Sequence, residues 1–229
     1  MLNHRVMELI EALRTTGAVR DFTARAVEDA VLARVLDTAR FAPSGANAQA
    51  WRVVIIKDVE NRRRLRDCYA RGSRDYLALA AAGLRPWAPT SDRDAEARAL
   101  NAGNASVVGD FAEKFDEVPA LLALFADLSM LAAVDRDADR YTFAGGASIY
   151  PFAWNVLLAA RDEGLGGVIT TIAIREEDDV KAFLGAPDTM ALAAVIALGY
   201  PVRAPRGLRR QPVSSFATVD SIGGPTFGV

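Results

Sequence analysis

Arginines near the two ends of the chain are the first residues whose type and spacing could do chemistry. Arg14 and Arg20 flank a turn of small and hydroxyl residues, and a second pair, Arg209 and Arg210, lies near the other end. The planar guanidinium fork of arginine binds phosphate through two hydrogen bonds. Two such segments could converge on one phosphate group, although on composition alone solvated surface arginines are the commoner explanation.

A second group of polar side chains lies on a loop that begins with Pro43 and leads into an apolar run. It contains Ser44, Asn47 and Gln49. Loops at strand ends often carry binding groups, and Asn and Gln side chains offer both a donor and an acceptor. That combination suits the edge of a ring that bears carbonyl and N–H groups. Ordinary turn chemistry, in which Ser and Asn bind their own backbone, is an equal alternative at this point.

Glycines and threonines occur together where a predicted helix passes into a strand, in the run GLGGVITTI at 164–172. Glycine lets a backbone approach a ligand closely. The run is not a dinucleotide-binding fingerprint, because that motif follows a strand and opens a helix, whereas this one closes a helix. A helix cap followed by the start of a strand is sufficient to explain it.

The residues that many enzymes use for acid–base or metal chemistry are scarce. The 229 residues include one cysteine, Cys68, and one histidine, His4, which excludes an internal disulfide and disfavours a transition-metal site or a Ser-His-Asp triad. The formal charge of −2 gives no reason to expect a nucleic-acid partner. No signal-peptide pattern or membrane-length apolar run occurs, so we expect a cytoplasmic protein. Any redox chemistry then requires an organic cofactor.

The elements that must position these residues alternate without a visible linker, so one domain over residues 1–229 is expected. Periodic apolar positions predict helices, and β-branched or continuously apolar runs predict strands. Helices are predicted at 31–41, 61–83, 107–115, 146–163 and 176–184, and strands at 51–57, 119–126, 167–173 and 190–200. Because the strands are apolar throughout, helices should cover both faces of a small mixed sheet, which predicts an α+β fold.

Two segments do not fit this pattern. Residues 85–104 carry two prolines and many charges around Trp87, which favours a poorly ordered surface loop. The alternative is a mobile lid in which Trp87 offers an aromatic surface to a substrate. The tail, from about 201 to 229, contains a basic cluster at 203–210 and an apolar piece at 215–219 that could form an extra strand. A free tail rarely carries such a pattern, and we expect this one to dock on a partner subunit.

Five motifs, in order along the chain, resemble those of the nitroreductase family of flavoproteins, and the resemblance spans nearly the whole chain. The most specific is APSGANAQAW at 42–51, which matches the family's APSxxNxQPW except that Ala50 replaces a proline. The other four are VRDF at 19–22, GLG at 164–166, LGYP at 198–201 and RRQP at 209–212. Any one of these motifs is weak evidence, and their common order is what carries the resemblance.

The resemblance implies an α+β sandwich that forms a domain-swapped homodimer, binds FMN between two subunits and embraces the partner with its tail. It implies that Arg20, Arg209 and Arg210 contact the FMN phosphate, and that backbone N–H groups at Thr171 and Ile172 face flavin N5. The loop at 43–49 is implied to lie against the flavin across the interface. The full set of implied cofactor-binding residues is Arg14, Arg20, Pro43, Ser44, Asn47, Gln49, Thr171, Ile172, Arg209 and Arg210.

The chain departs from the family at two places. Thr16, Gly17 and Ala18 occupy positions that usually hold Arg-Arg-Ser, so two implied phosphate ligands are changed. Arg14, one turn earlier, is the candidate replacement. Thr171 stands where relatives often have a glutamate, so only a backbone contact to N5 is implied.

The resemblance also implies the activity. Electrons would pass from NADH or NADPH through FMN to a nitroaromatic, a quinone or a similar small acceptor. No catalytic side chain is implied, because the flavin itself carries the chemistry. Two alternatives stay open: a relative that fragments flavin or dehalogenates its substrate, and a flavin-storage protein without turnover.

Overall fold

The computed structural model describes residues 7–102, 108–203 and 206–228, and His4 lies outside these ranges. The described helices are α1 (Leu9–Thr15), α2 (Asp29–Ala39), α3 (Val59–Ala81), α4 (Arg93–Asn101), α5 (Asp110–Glu113), α6 (Tyr150–Asp162) and α7 (Glu177–Leu184). The described strands are β1 (Trp51–Ile55), β2 (Ala120–Asp127), β3 (Gly166–Thr170) and β4 (Met190–Gly199). None of the described helices is both long and apolar enough to cross a membrane.

The four strands form one sheet in the order β1-β2-β4-β3. Strand β2 is buried along its whole length, and its alternate side chains point to opposite faces. Leu122 and Leu124 belong to a core with α2 and α6, whereas Leu121 and Phe125 belong to a second core with α3, α5 and α7. Helices therefore cover both faces of the sheet, and the predicted α+β class is confirmed.

The strand pairing differs from the mixed sheet expected from the sequence. All three pairs of described strands are antiparallel. Parallel pairing within the described residues is limited to one bridge, between Ala18 and Gly167, which joins the N-terminal turn to the edge of β3.

The predicted helices and strands are present with ends that differ by a few residues, and two other expectations were wrong. Residues 85–102 are not an irregular loop, because they contain α4, whose first amides bind the Asp92 carboxylate as an N-cap; Asn104 lies outside the described residues. The piece at 215–219 is not a strand either. It follows a 3-10 turn, Val213–Ser215, and forms one bridge between Thr218 and Thr226. Cys68, expected to be a plain helix residue, is buried in α3, and this burial raises the pKa of its thiol.

One buried carboxylate holds the irregular segment between β2 and α6. Asp135 accepts hydrogen bonds from the amides of Phe143 at 2.9 Å and Ala144 at 3.2 Å, and from the guanidinium of Arg140 at 2.9 Å. These bonds, above all the one from Phe143, hold the pKa of Asp135 below its usual value. The carboxylate thus closes the loop that precedes α6, and α6 packs in the core that it shares with α2.

Asp135→Asn is expected to lower the free energy of unfolding at neutral pH, because it removes the charge that accepts these bonds. A lowered pKa in the folded state means that the carboxylate stabilises the fold above the ordinary aspartate range, and that this contribution disappears as pH falls through the folded-state pKa. The difference in the free energy of unfolding between wild type and variant should therefore become smaller as the pH is lowered. Urea titrations followed by tryptophan fluorescence at several pH values measure it. Asp137→Asn, which removes an exposed carboxylate two residues away, serves as the control. A gap that does not change with pH would contradict this role for Asp135.

Candidate functional site

The N-terminal turn lies along the edge of β3 and the end of β4. The amide of Val19 donates to the carbonyl of Gly167 at 2.9 Å, and the amide of Thr23 donates to the carbonyl of Tyr200 at 2.8 Å. These bonds fix the backbone on both sides of Arg20. The position of this arginine is therefore set by two strands of the sheet rather than by the turn alone.

Glycines make this close approach possible. A Cβ on Gly166 would lie 2.8 Å from the Val19 side chain, and one on Gly199 would lie 2.9 Å from the ring of Phe22. Such distances are shorter than side-chain carbons tolerate, so larger residues would push the turn away from the sheet. The GLG and LGYP motifs thus act here as contact surfaces for the turn.

The tail returns to the same place. The amide of Leu208 donates to the carbonyl of Arg14 at 2.9 Å, and the Leu208 side chain lies 2.8 Å from where a Cβ on Gly17 would be. Arg209 and Arg210 follow directly. The structure therefore brings together the arginine-bearing segments that the sequence places at opposite ends of the chain.

The arginines of this cluster have few partners of their own. Within the described residues none of Arg14, Arg20, Arg209 and Arg210 forms an ion pair. The hydroxyl oxygen of Thr16, in the middle of the turn, is buried without a hydrogen-bond partner in the described part of the chain. A buried polar atom left unpaired costs free energy. A ligand with a hydrogen-bond acceptor at this turn would remove that cost by accepting from the Thr16 hydroxyl.

A lysine that sequence reasoning missed lies beside Arg20. The two residues line a cleft of about 470 Å³ together with Phe22 and Phe111. Lys114 follows α5, and its carboxylate neighbour Asp110 is 4.0 Å away on an exposed surface. Nothing in its sequence surroundings distinguishes Lys114 from any other surface lysine.

Strand β3 carries a second polar feature at its far end. The amides of Thr171 and Ile172 donate no hydrogen bond within the described residues, because β3 ends at Thr170 and a 3-10 helix begins at Ile172. From Gly167 to Thr171 the strand runs four residues, which is about 13 Å. The arginine-bearing turn and these free amides thus lie along one edge of the sheet.

The loop at 43–49 is held in an unusual backbone conformation. Ala46, Asn47 and Gln49 have positive φ values of 50°, 53° and 50°. The Ser44 hydroxyl accepts from the Gln49 amide at 3.0 Å, and the Gln49 side chain donates to the Asn47 side chain at 3.2 Å. Some of these polar groups are therefore engaged in hydrogen bonds within the loop itself, as in an ordinary turn. Left-handed conformations in non-glycine residues persist only where surrounding contacts enforce them, and they concentrate at functional sites.

The structure does not bring this loop to the other candidate residues of the same chain. The loop precedes β1, at one edge of the sheet, whereas Thr171 and Ile172 follow β3, at the opposite edge. Three strand spacings separate the two edges, which is about 14 Å. The predicted site residues therefore form two separate groups within one chain.

A sequence profile of the Nitroreductase family matches residues 13–200. The chain belongs to the nitroreductase family. The matched range includes the N-terminal turn, the loop at 43–49 and the end of β3, whereas Arg209 and Arg210 lie beyond it.

Relatives and solved structures of the family agree over most of the chain. An NADH dehydrogenase of Thermus thermophilus is 29% identical over 86% of this chain and 88% of its own length. A 5,6-dimethylbenzimidazole synthase of Rhodospirillum rubrum is 28% identical over 80% of this chain and 77% of its own. The structure of an NADPH:FMN oxidoreductase from Vibrio harveyi, complexed with NAD+, aligns with a TM-score of 0.64 at 20% identity, over 93% of this chain and 76% of that one.

The proposed lid residue of this nitroreductase-family chain lies beside the turn that follows β3. The ring centroid of Trp87 is 5.2 Å from the guanidinium carbon of Arg175 and 6.0 Å from the ring of Tyr76 in α3. Trp87 has a φ of 52°, and its Nε1 is buried without a partner in the described residues. Arg175 is a second residue that sequence reasoning missed, because the run from 172 onward was assigned only to a strand end and a helix.

Helix α3 fixes the turn at Ile172 through a glycine. A Cβ on Gly72 would lie 2.7 Å from the Ile172 side chain and 2.8 Å from its carbonyl oxygen. Gly72→Ala should gain about 1 kcal/mol of helix propensity but lose about 1–3 kcal/mol through overpacking. We expect net destabilisation in urea titrations, together with faster hydrogen exchange at the Ile174 amide, which donates to the Thr171 carbonyl at 3.0 Å.

Gly109→Ala, at the N-cap of α5, is the control for an added methyl group that meets nothing within 4 Å. A stabilised Gly72→Ala protein, with unchanged exchange at the Ile174 amide, would show that α3 does not hold the turn.

Proposed function

We propose that the protein is an FMN-dependent oxidoreductase that passes a hydride from NAD(P)H through bound FMN to a nitroaromatic, a quinone or a similar small acceptor. The observation that carries the proposal is the arrangement along β3. Four arginines that form no ion pair among the described residues lie at one end of that edge, and two amides without an acceptor in the same part of the chain lie about 13 Å further on. That span suits a ligand with a phosphate at one end and a polar ring at the other.

The chemistry of the donors fits the phosphate end of FMN. Arg14, Arg20 and the pair at 209–210 offer planar forks for phosphate oxygens, and the orphan hydroxyl of Thr16 offers one more donor. In this proposal Arg14 replaces a phosphate-binding arginine that relatives usually have in this turn and that this chain lacks. Lys114, in the cleft beside Arg20, adds positive potential.

The amides of Thr171 and Ile172 fit the ring end. FMN, when bound, supplies the hydride chemistry itself. The amides would donate hydrogen bonds to the ring edge and stabilise negative charge that develops there, as preorganised backbone donors do elsewhere. Thr171 has no titratable side chain, so the chain holds the ring here through its backbone alone.

The active unit is proposed to be a homodimer. The loop at 43–49 lies at the sheet edge opposite Thr171, and a second copy would bring its own loop to the flavin. The tail supports this arrangement: Phe216, Ile222 and Phe227 are 72%, 97% and 60% exposed. The tail folds into a small hairpin, closed by the Thr218–Thr226 bridge, and an isolated hairpin is marginally stable in water. A partner surface would cover these side chains.

The relatives support a nicotinamide donor but not one acceptor. The T. thermophilus relative is named an NADH dehydrogenase and the V. harveyi structure an NADPH:FMN oxidoreductase. The synthase of R. rubrum is nearly as similar as the dehydrogenase, at 28% against 29% identity, so a flavin-fragmenting or related reaction is the second candidate.

Stopped-flow mixing of the FMN-loaded protein with NADH and with NADPH tests the proposal. Bleaching of the flavin absorbance by either nucleotide on the timescale of turnover is expected. A flavin that neither nucleotide bleaches would leave a storage role in place of an enzyme.

Arg20→Ala and Arg210→Ala are each expected to weaken FMN binding by about 1.5–3 kcal/mol, the range for a hydrogen bond to a charged group. The physical reason is that a partly buried phosphate needs charged partners. Flavin fluorescence titration of the apoprotein measures the affinity. Arg136→Ala is the control, because that side chain is 80% exposed and lies in the segment between β2 and α6. Unchanged FMN affinity in both test variants would remove the phosphate assignment.

Deletion of residues 213–229 is expected to weaken the dimer, because the exposed apolar side chains of the tail would lose their cover. Phe216→Asp should act in the same direction with a smaller effect, and Val59→Asp, at the exposed start of α3, should not. Sedimentation velocity over a concentration series measures the dimer dissociation constant. A monomeric state of the intact, FMN-loaded protein would contradict the interface.

A further inference from the structure

Arg175 is held above an aromatic ring one turn beyond the free amides. It lies in the 3-10 helix Ile172–Glu176, with an exposed side chain. Its Cβ is 3.6 Å from where a Cβ on Gly72 would be, so its backbone packs directly on α3. Its guanidinium lies over Trp87, which contacts Tyr76 in turn. A ring beneath a guanidinium orients the plane of its fork.

Glu96, a carboxylate on which Arg175 exerts a small electrostatic effect, is occupied by other donors. Glu96 of α4 accepts from the Ser91 hydroxyl and from the Arg93 guanidinium, the latter at 3.1 Å. These two donors lower the pKa of Glu96, and Arg175 adds only a charge at longer range. Glu96 is therefore an ionised carboxylate that is already bound.

Three of the four acidic residues at 176–179 are occupied as well, whereas the exposed Asp178 forms no ion pair among the described residues. Glu176 and Asp179 both bind Arg71 of α3, at 2.7 Å and 2.6 Å. Glu177 accepts from the Leu192 amide at 2.6 Å. Among the described residues Arg175 forms no ion pair. Its charge thus remains available on the rim of the proposed flavin site, beside an aromatic surface.

We infer that Arg175 and Trp87 form a subsite that selects a planar aromatic substrate with an anionic group, such as a carboxylate. The inference rests on the proposed function and specifies the substrate class of the same site. The guanidinium fork matches a carboxylate through two parallel hydrogen bonds, and the aromatic ring of the substrate packs against Trp87. The resulting preference is for the oxidant and not for the nicotinamide donor.

The test compares two acceptors of matched shape, 4-nitrobenzoate and the neutral 4-nitrobenzyl alcohol, at saturating NADH. In Arg175→Gln the ratio of kcat/KM for nitrobenzoate to that for the alcohol should fall about tenfold or more, through KM, as expected for one lost charge-assisted hydrogen bond. Arg175→Lys should recover part of the ratio, since it keeps the charge but not the fork. Arg64→Gln is the matched control, because Arg64 lies over Phe183 at 4.8 Å, where α3 meets α7.

A second readout does not depend on turnover. Calorimetric titration of the oxidised, FMN-loaded protein with benzoate should give a dissociation constant that rises by the same factor in Arg175→Gln. This measurement separates the inference from the proposed function, because benzoate binding can be lost or kept whether or not NADH bleaches the flavin. The inference would be overturned if kcat/KM fell equally for both acceptors, or if neither the kcat/KM ratio nor the benzoate dissociation constant changed. It would also be overturned if Arg175→Gln changed only the preference for NADH over NADPH.

Discussion

The close seating of residues 18–22 on the glycines of β3 and β4 is the contact on which the candidate site depends. The bridge from Ala18 to Gly167 and the bond from Val19 leave no room for side chains on that part of the sheet edge. Arg20 therefore cannot shift along the strand. Because the Leu208 amide donates to the Arg14 carbonyl at the end of α1, directly before this turn, the tail arginines are held at the same place. One backbone contact thus determines where residues separated by almost the whole chain come together.

The same sheet explains why one chain would hold only half of the proposed flavin site. A ligand that spans the edge of β3 meets donors at both of its ends, but the other side of its ring faces nothing from the loop at 43–49, which lies across the sheet. The strand order β1-β2-β4-β3 keeps these two edges apart in every side-chain conformation. The tail and its exposed aromatic residues lack a core of their own, so the proposed second copy would both cover the tail and bring its loop to the ring.

Local signals in the sequence were enough to predict the helices and strands of the core. They did not identify residues whose role depends on contacts with distant parts of the chain. The continuous apolar run of β2 and the periodic stripe of α2 predicted both elements, since burial on two faces and on one face leave different patterns. Helix α4 was missed because its charged sequence hides the Asp92 cap. The loop at 43–49 and the VRDF turn at 19–22 were found by resemblance. Lys114 and Arg175 could be recognised only from the structure, which places them beside Arg20 and Trp87.

The backbone of the loop at 43–49 gives the last constraint. Left-handed geometry costs a non-glycine residue roughly 1–2 kcal/mol, and Ala46 and Gln49 both adopt it, whereas Asn47 tolerates it more readily. Hydrogen bonds to Ser44 and Ser148 offset part of this cost. Glycine at 46 would remove the strain but would also free the loop in the unfolded chain and in the folded one. Strained backbone of this kind concentrates at functional sites, which fits a loop whose shape has to be fixed. In the proposed homodimer this loop would meet a flat ring held by the other subunit, and that role requires a loop shape that is fixed before the two copies associate.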